Sequence, residues 1–206
     1  MKKNKIKDTG LEVTELSFGT SSLGSMPDTY GYEVPEQRAQ ETLKRFFQGP
    51  VNMLDTSRNY AMGESEKRIG IAIRANDGWP EKFVLSTKID RNMDTLVLDK
   101  KRTRESVEES LKALNVDSVD VLFLHDPEYV KDINDVTKKD GALDELFKIK
   151  EEGLAKAVGL AMGRIDIMFP ILKKWDFDVI INHNRYTLLN RDCLLYTSPS
   201  PRDTDK

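Results

Sequence analysis

The feature that most restricts how this chain can fold is an alternation. A short apolar run is followed by a polar loop, then by a stretch with apolar residues every three to four positions. The apolar runs are residues 16–20, 51–54, 83–87, 119–124, 155–161 and 179–182. The run at 119–124 (Val-Asp-Val-Leu-Phe-Leu) is nearly continuous, as suits a strand covered on both faces of a parallel sheet. Between the runs the period changes. Behind Pro35, the residues Ala39, Leu43 and Phe46 share one helical face, with Gly49 as the stop. Ile69 and Ile73 lie one turn apart within 63–75, and Val107, Leu111 and Leu114 mark the next helix. Leu143, Leu146 and Ile149 mark another, ended by Gly153, and a further helix is expected over 165–175. Strands alternating with helices imply a parallel sheet covered by helices. An open doubly wound sheet and a closed barrel both satisfy that pattern.

Bulk properties narrow the function classes. The chain has 206 residues, which favours one domain; 38% are apolar and 33% charged, enough apolar content for a core. Net charge is −3, and no stretch of Lys or Arg is long enough for a nucleic-acid stripe. The cluster Lys2, Lys3, Lys5 and Lys7 reads as a solvated end. Cys193 is the single cysteine, so neither a disulfide framework nor a Cys-His metal cluster is available, and a reducing, cytoplasmic compartment is expected. No stretch approaches the roughly 18 apolar residues of a membrane span. Neither a nucleic acid nor a membrane is expected as a partner, and no metal is expected.

Four polar residues occupy equivalent places. Asp55 follows the run 51–54, Lys88 follows 83–87, His125 follows 119–124, and Tyr60 lies in the loop beyond Asp55. Taken singly, each has a bland explanation: a turn-forming Asp, a solvated Lys, a rim His. Together they complement one another. A free tyrosine has a pKa near 10 and moves protons poorly at neutral pH. An adjacent ammonium is expected to lower it, an Asp to anchor that ammonium, and a His to orient a carbonyl oxygen. Such a set moves a proton but cannot accept a hydride, so a redox cofactor is implied.

The segment Asn52-Met53-Leu54-Asp55-Thr56-Ser57-Arg58-Asn59-Tyr60, followed by Gly63-Glu64-Ser65-Glu66 and Ile69-Gly70, resembles the aldo-keto reductase signature. Ser86-Thr87-Lys88 and Leu124-His125-Asp126-Pro127 resemble that family's lysine and histidine strands. The resemblance covers residues 10 to about 191 and implies a (β/α)₈ TIM barrel using NAD or NADP. It implies Asp55, Tyr60, Lys88 and His125 as catalytic, with Gly19, Thr20, Asp55, Met162 and His183 toward the cofactor. The family usually carries a Ser-Asn pair and a Gln near the last two of these. Here Met162-Gly163 and His183 stand instead, so Asn182 and Asn184 are further candidates. Glu128 after the proline, Gly78-Trp79-Pro80 and Arg185-Tyr186-Thr187-Leu188-Leu189 resemble the branch of L-fucose, D-threo-aldose and L-galactose 1-dehydrogenases. The implied substrate is therefore a small sugar or another carbonyl compound. A pyridoxal or general carbonyl reductase, a non-catalytic cofactor-binding subunit and an inactive fragment are the alternatives.

The barrel expectation meets a shortage of chain. A (β/α)₈ barrel typically takes about 250 residues, and the apolar runs supply six strands rather than eight. Residues 1–191 are expected to form the incomplete oxidoreductase domain. Residues 192–206 show no strand or helix period after Tyr196 and resemble read-through of a sequencing adapter; a genuine flexible terminus is the alternative reading. The family's adenosine phosphate pocket lies largely beyond the six strands, so weak or no cofactor binding by these 206 residues is expected.

Overall fold

A computed structural model describes residues 1–192 and Leu194. The chain opens with a hairpin of β1 (Lys3–Lys5) and β2 (Glu12–Thr14), paired antiparallel. Then come β3 (Phe18–Gly19), α1 (Pro27–Tyr30), α2 (Glu36–Gln48), β4 (Met53–Asp55), α3 (Glu64–Ala75) and β5 (Val84–Ile89). The remainder is α4 (Lys100–Leu114), β6 (Val119–His125), α5 (Ile133–Thr137), α6 (Ala142–Glu151), β7 (Ala155–Met162), α7 (Ile165–Leu172) and β8 (Val179–Asn182). Among the described residues, no helix is long and apolar enough to cross a membrane.

Strands β3 to β8 form one sheet in chain order, every pair parallel. A doubly wound sheet reverses its strand order at a switch point. Here nothing reverses, so successive strands are neighbouring staves, six of the eight that a (β/α)₈ barrel needs.

Alternation along each strand sorts side chains into two layers. Leu54, Leu85, Ile89, Leu122, Leu124, Val158, Leu160 and Met162 face the helices, packing with Leu43, Ile69, Ile73, Val107, Leu146 and Ile149. Met53, Val84, Val121, Phe123, Ala157 and Ala161 face the other way, onto Ile6 and Leu11 of the hairpin region. The lysine-rich N-terminus is therefore not merely a solvated end. Its exposed lysines alternate with the loop that sends Ile6 and Leu11 into the barrel interior, where they are 5% and 9% exposed.

Element boundaries depart from the sequence expectation where packing overrides period. The run 16–20 is strand only at Phe18–Gly19. The helix expected over 165–175 ends at Leu172, three residues early, with Pro170 inside its last turn. The short α1 and α5 were not expected. The proposed non-native segment 192–206 lies outside the described residues but for Asp192 and Leu194.

Candidate functional site

Asp55 closes β4, Lys88 is the next-to-last residue of β5, and His125 closes β6. All three come from adjacent parallel strands and reach the C-terminal rim of the sheet, the end that gathers catalytic groups in barrels. The ammonium of Lys88 is buried, with its residue only 2% exposed. It donates to Asp55 Oδ2 at 2.6 Å, to the carbonyl of Thr56 at 2.7 Å and to the Tyr60 hydroxyl at 3.2 Å. Its three donors are thus all used. Asp55 Oδ1 accepts from the Ser86 hydroxyl at 2.6 Å, so both carboxylate oxygens are held. The Tyr60 and His125 rings meet edge to face with centroids 6.1 Å apart. The structure therefore brings together the four residues expected from sequence.

The loop holding Tyr60 is strained. Ala61 and Met62, directly after it, have φ of 49° and 54°, consecutive left-handed positions on non-glycine residues. Such conformations each cost of the order of 1–2 kcal/mol and persist only where surroundings enforce them. Gly63 follows at φ 90°, and a Cβ there would strike the Arg58 guanidinium. The turn is anchored at its far side, where Ser65 Oγ donates to the Thr20 carbonyl at 2.9 Å and the Thr87 hydroxyl donates to Glu66 Oε1 at 2.6 Å.

Electrostatics correct one expectation. Lys88 was expected to leave Tyr60 more acidic than a free phenol. Burial is the larger effect and raises the phenol; Lys88 pulls it down, Asp55 pushes it up again, and the balance lies above the ordinary value. Tyr60 thus keeps its proton at neutral pH. Burial likewise works against the Lys88 ammonium, but Asp55 and Tyr60 outweigh it and hold its pKa above the usual lysine value.

Asp90 was missed by sequence reasoning. It lies one residue past β5 and is 2% exposed. Its Oδ1 is 2.7 Å from His125 Nδ1, and its Oδ2 accepts from Ser57 Oγ at 2.5 Å and the Asn59 amide at 2.9 Å. Burial opposes its charge, yet the bonds from His125, Ser57 and Asn59 hold its pKa below the ordinary carboxylate value. The signal available in sequence was its place, beyond the end of a strand like Asp55 and His125.

The residues expected toward a cofactor are placed unevenly. Gly19 is exposed, with open space where a Cβ would stand. Thr20 is buried, and its hydroxyl donates to the Asp55 carbonyl at 2.9 Å, steadying Asp55 rather than facing a ligand. The Met162 side chain packs in the helix-facing core, which leaves only its backbone for the rim. Its carbonyl accepts from Asn182 Nδ2 at 2.8 Å. His183 is exposed and lies over Gly163, where a Cβ would come within 2.5 Å of its Nε2. The Gly and the His are therefore a matched pair. Asn182 Oδ1 is buried without a hydrogen-bond partner among the described residues. Asn184 stands beside them, also exposed, at φ 59°.

With this geometry in hand, the chain belongs to the aldo/keto reductase family, whose model matches residues 15–194. It is 32% identical to the L-galactose dehydrogenase of Arabidopsis thaliana over 190 residues, 87% of this chain and 55% of that protein. It is 27% identical to the D-threo-aldose 1-dehydrogenase of a Pseudomonas species, over 93% of this chain and 63% of that protein. An aldo-keto reductase from Bacillus halodurans, solved in its holo form, superposes with a TM-score of 0.71 at 26% identity, over 87% of this chain and 56% of that one. The chain thus spans a little over half the length of the relatives it matches.

Proposed function

We propose that this chain carries the proton-transfer site of an NAD(P)-dependent oxidoreductase acting between an aldose C1, or an aldehyde or ketone carbon, and its oxidised or reduced partner. One observation supports this above the rest. A half-buried phenol, Tyr60, lies 3.2 Å from an ammonium that is itself tied to Asp55. When bound, the nicotinamide supplies or receives the hydride. The polar groups beside the rim suit such a group: the orphaned Asn182 Oδ1 would accept from a carboxamide N–H, and Gly19 leaves open space for a planar ring.

Tyr60 acts as the acid when a carbonyl is reduced and, as the phenolate, as the base when an aldose is oxidised. A phenol that keeps its proton at neutral pH has one to give, and Lys88 stabilises the phenolate left behind. Asp55 and Ser86 hold Lys88 in register, and His125 orients the substrate oxygen beside Tyr60. The aldose preference takes its support from the two sugar dehydrogenases among the relatives. The test supplies the chain with NAD⁺ or NADP⁺ and L-galactose, and compares it with Tyr60→Phe. Loss of about a hundred- to ten-thousand-fold in turnover is expected, the usual worth of a positioned acid. Unchanged turnover in the variant contradicts the assignment.

A further inference from the structure

The protons around His125 bear on which substrate the site accepts. Nδ1 has two close neighbours, Asp90 Oδ1 at 2.7 Å and Ser57 Oγ at 3.3 Å. The Ser57 hydroxyl owns one proton, and at 2.5 Å from Asp90 Oδ2 it is already given. Asp90 is a buried carboxylate fed by the Ser57 hydroxyl and by the amide of Asn59, and it has no proton of its own to offer. Both neighbours of Nδ1 are therefore acceptors, and Nδ1 must be the donor. A neutral imidazole has a single ring proton. Once it sits on Nδ1, the nitrogen at the other side of the ring carries a lone pair.

We propose that Asp90 is a positioning residue that fixes the His125 proton on Nδ1, so that neutral His125 meets the substrate through the Nε2 lone pair and accepts a hydrogen bond from a substrate hydroxyl. Near Nε2 stands Asp126, whose Oδ2 is 3.7 Å away, another acceptor. A bare carbonyl oxygen finds no donor in these two acceptors and is left to the Tyr60 hydroxyl alone. A hydroxyl donates to one of them. The site thereby selects a substrate that presents O–H at this point, such as a sugar or polyol, over a simple ketone. The support is local: Asp90 is anchored through Ser106, whose hydroxyl accepts from its backbone amide at 3.0 Å, and through Arg102, whose Nε donates to its carbonyl at 3.1 Å. The backbone of Asp90 is thus held from α4, and its carboxylate by Ser57 and Asn59, independently of the imidazole.

The selection of a hydroxyl rests on the oxidoreductase reading, but the position of the proton does not. It is read on the ¹⁵N-labelled 206-residue chain at alkaline pH, from long-range imidazole ¹H–¹⁵N spectra. His183→Gln leaves His125 as the sole histidine and assigns it, since the chain has 2. The expected spectrum shows a protonated Nδ1 and a lone-pair Nε2. In Asp90→Leu the proton shifts to Nε2. Should circular dichroism show that variant unfolded, Asp90→Asn keeps the shape and removes the charge, and the Nδ1 proton resonance moves upfield. A wild-type spectrum with the proton on Nε2 overturns the proposal. So does an unchanged tautomer in folded Asp90→Leu, or an unmoved Nδ1 proton in Asp90→Asn. Absence of nicotinamide-dependent turnover sinks the oxidoreductase reading instead and leaves this spectrum as it is.

Discussion

Individual residues in this protein are set by burial at least as much as by charge. Glu66 is the clearest case. It is fully buried between α3 and β5, and burial raises its carboxyl to about 7 despite the hydrogen bond from Thr87. Unfolded, it titrates near 4.5. The folded state therefore binds a proton over that interval and the unfolded state does not. Stability falls as pH rises from about 4.5 to about 7 and then levels off, by roughly 3 kcal/mol from this group. Urea denaturation of the wild type and Glu66→Gln at both ends of this range isolates the effect; the variant loses that part of the slope. A parallel pH dependence in both proteins contradicts it. The Lys88–Asp55 pair behaves differently, because each charge satisfies the other. Lys88→Met leaves a carboxylate with one hydrogen bond in a poorly solvated place, and a loss of about 3 kcal/mol is expected on denaturation.

At the scale of elements, what was legible depended on length. The six strands of the sheet and the five longer helices follow from period and punctuation: Gly49 and Gly153 stop helices, and the apolar run at 119–124 is a strand buried on both faces. The hairpin was not legible, because Lys-Asn-Lys and Glu-Val-Thr are three-residue strands too short and polar to show alternation. The four candidate site residues were legible because Asp55, Lys88 and His125 come at the ends of strands and Tyr60 in the loop behind the first of them; Asp90 was not, because its meaning lies in contacts with Ser57, Asn59 and His125 from other elements. Nor was the net effect on Tyr60, since burial cannot be summed from spacing. Close packing of helices was also hidden. Gly70 on α3 lies against the backbone of α4, and a Cβ there would come within 2.1 Å of the Ala113 carbonyl oxygen. Gly70→Ala is expected to lose about 1–3 kcal/mol through forced separation of the two helices, although alanine is the better helix former. A stabilised variant in thermal denaturation contradicts this contact.

On the scale of the whole molecule, one side of the sheet faces the helices, and the other faces an interior closed at its floor by the hairpin and opening at its rim into the site. Leu11 and Ile6 complete the layer of Met53, Val84, Val121 and Phe123 beneath Lys88 and Asp55. Leu11→Ala should cost about 2–3 kcal/mol on denaturation, as for other large-to-small core changes, while leaving the Tyr60–Lys88 geometry in place. That geometry is where the fold and the chemistry meet, since three adjacent strands must end together for a half-buried phenol to lie against an anchored ammonium. The most direct test is the ionisation of Tyr60, followed by NMR on ring-labelled tyrosine and assigned with Tyr60→Phe. The phenol is expected to remain protonated beyond pH ~10, where free tyrosine is half ionised, and to resist ionisation further in Lys88→Met. A Tyr60 that ionises near neutral pH, or one indifferent to the loss of Lys88, contradicts the account.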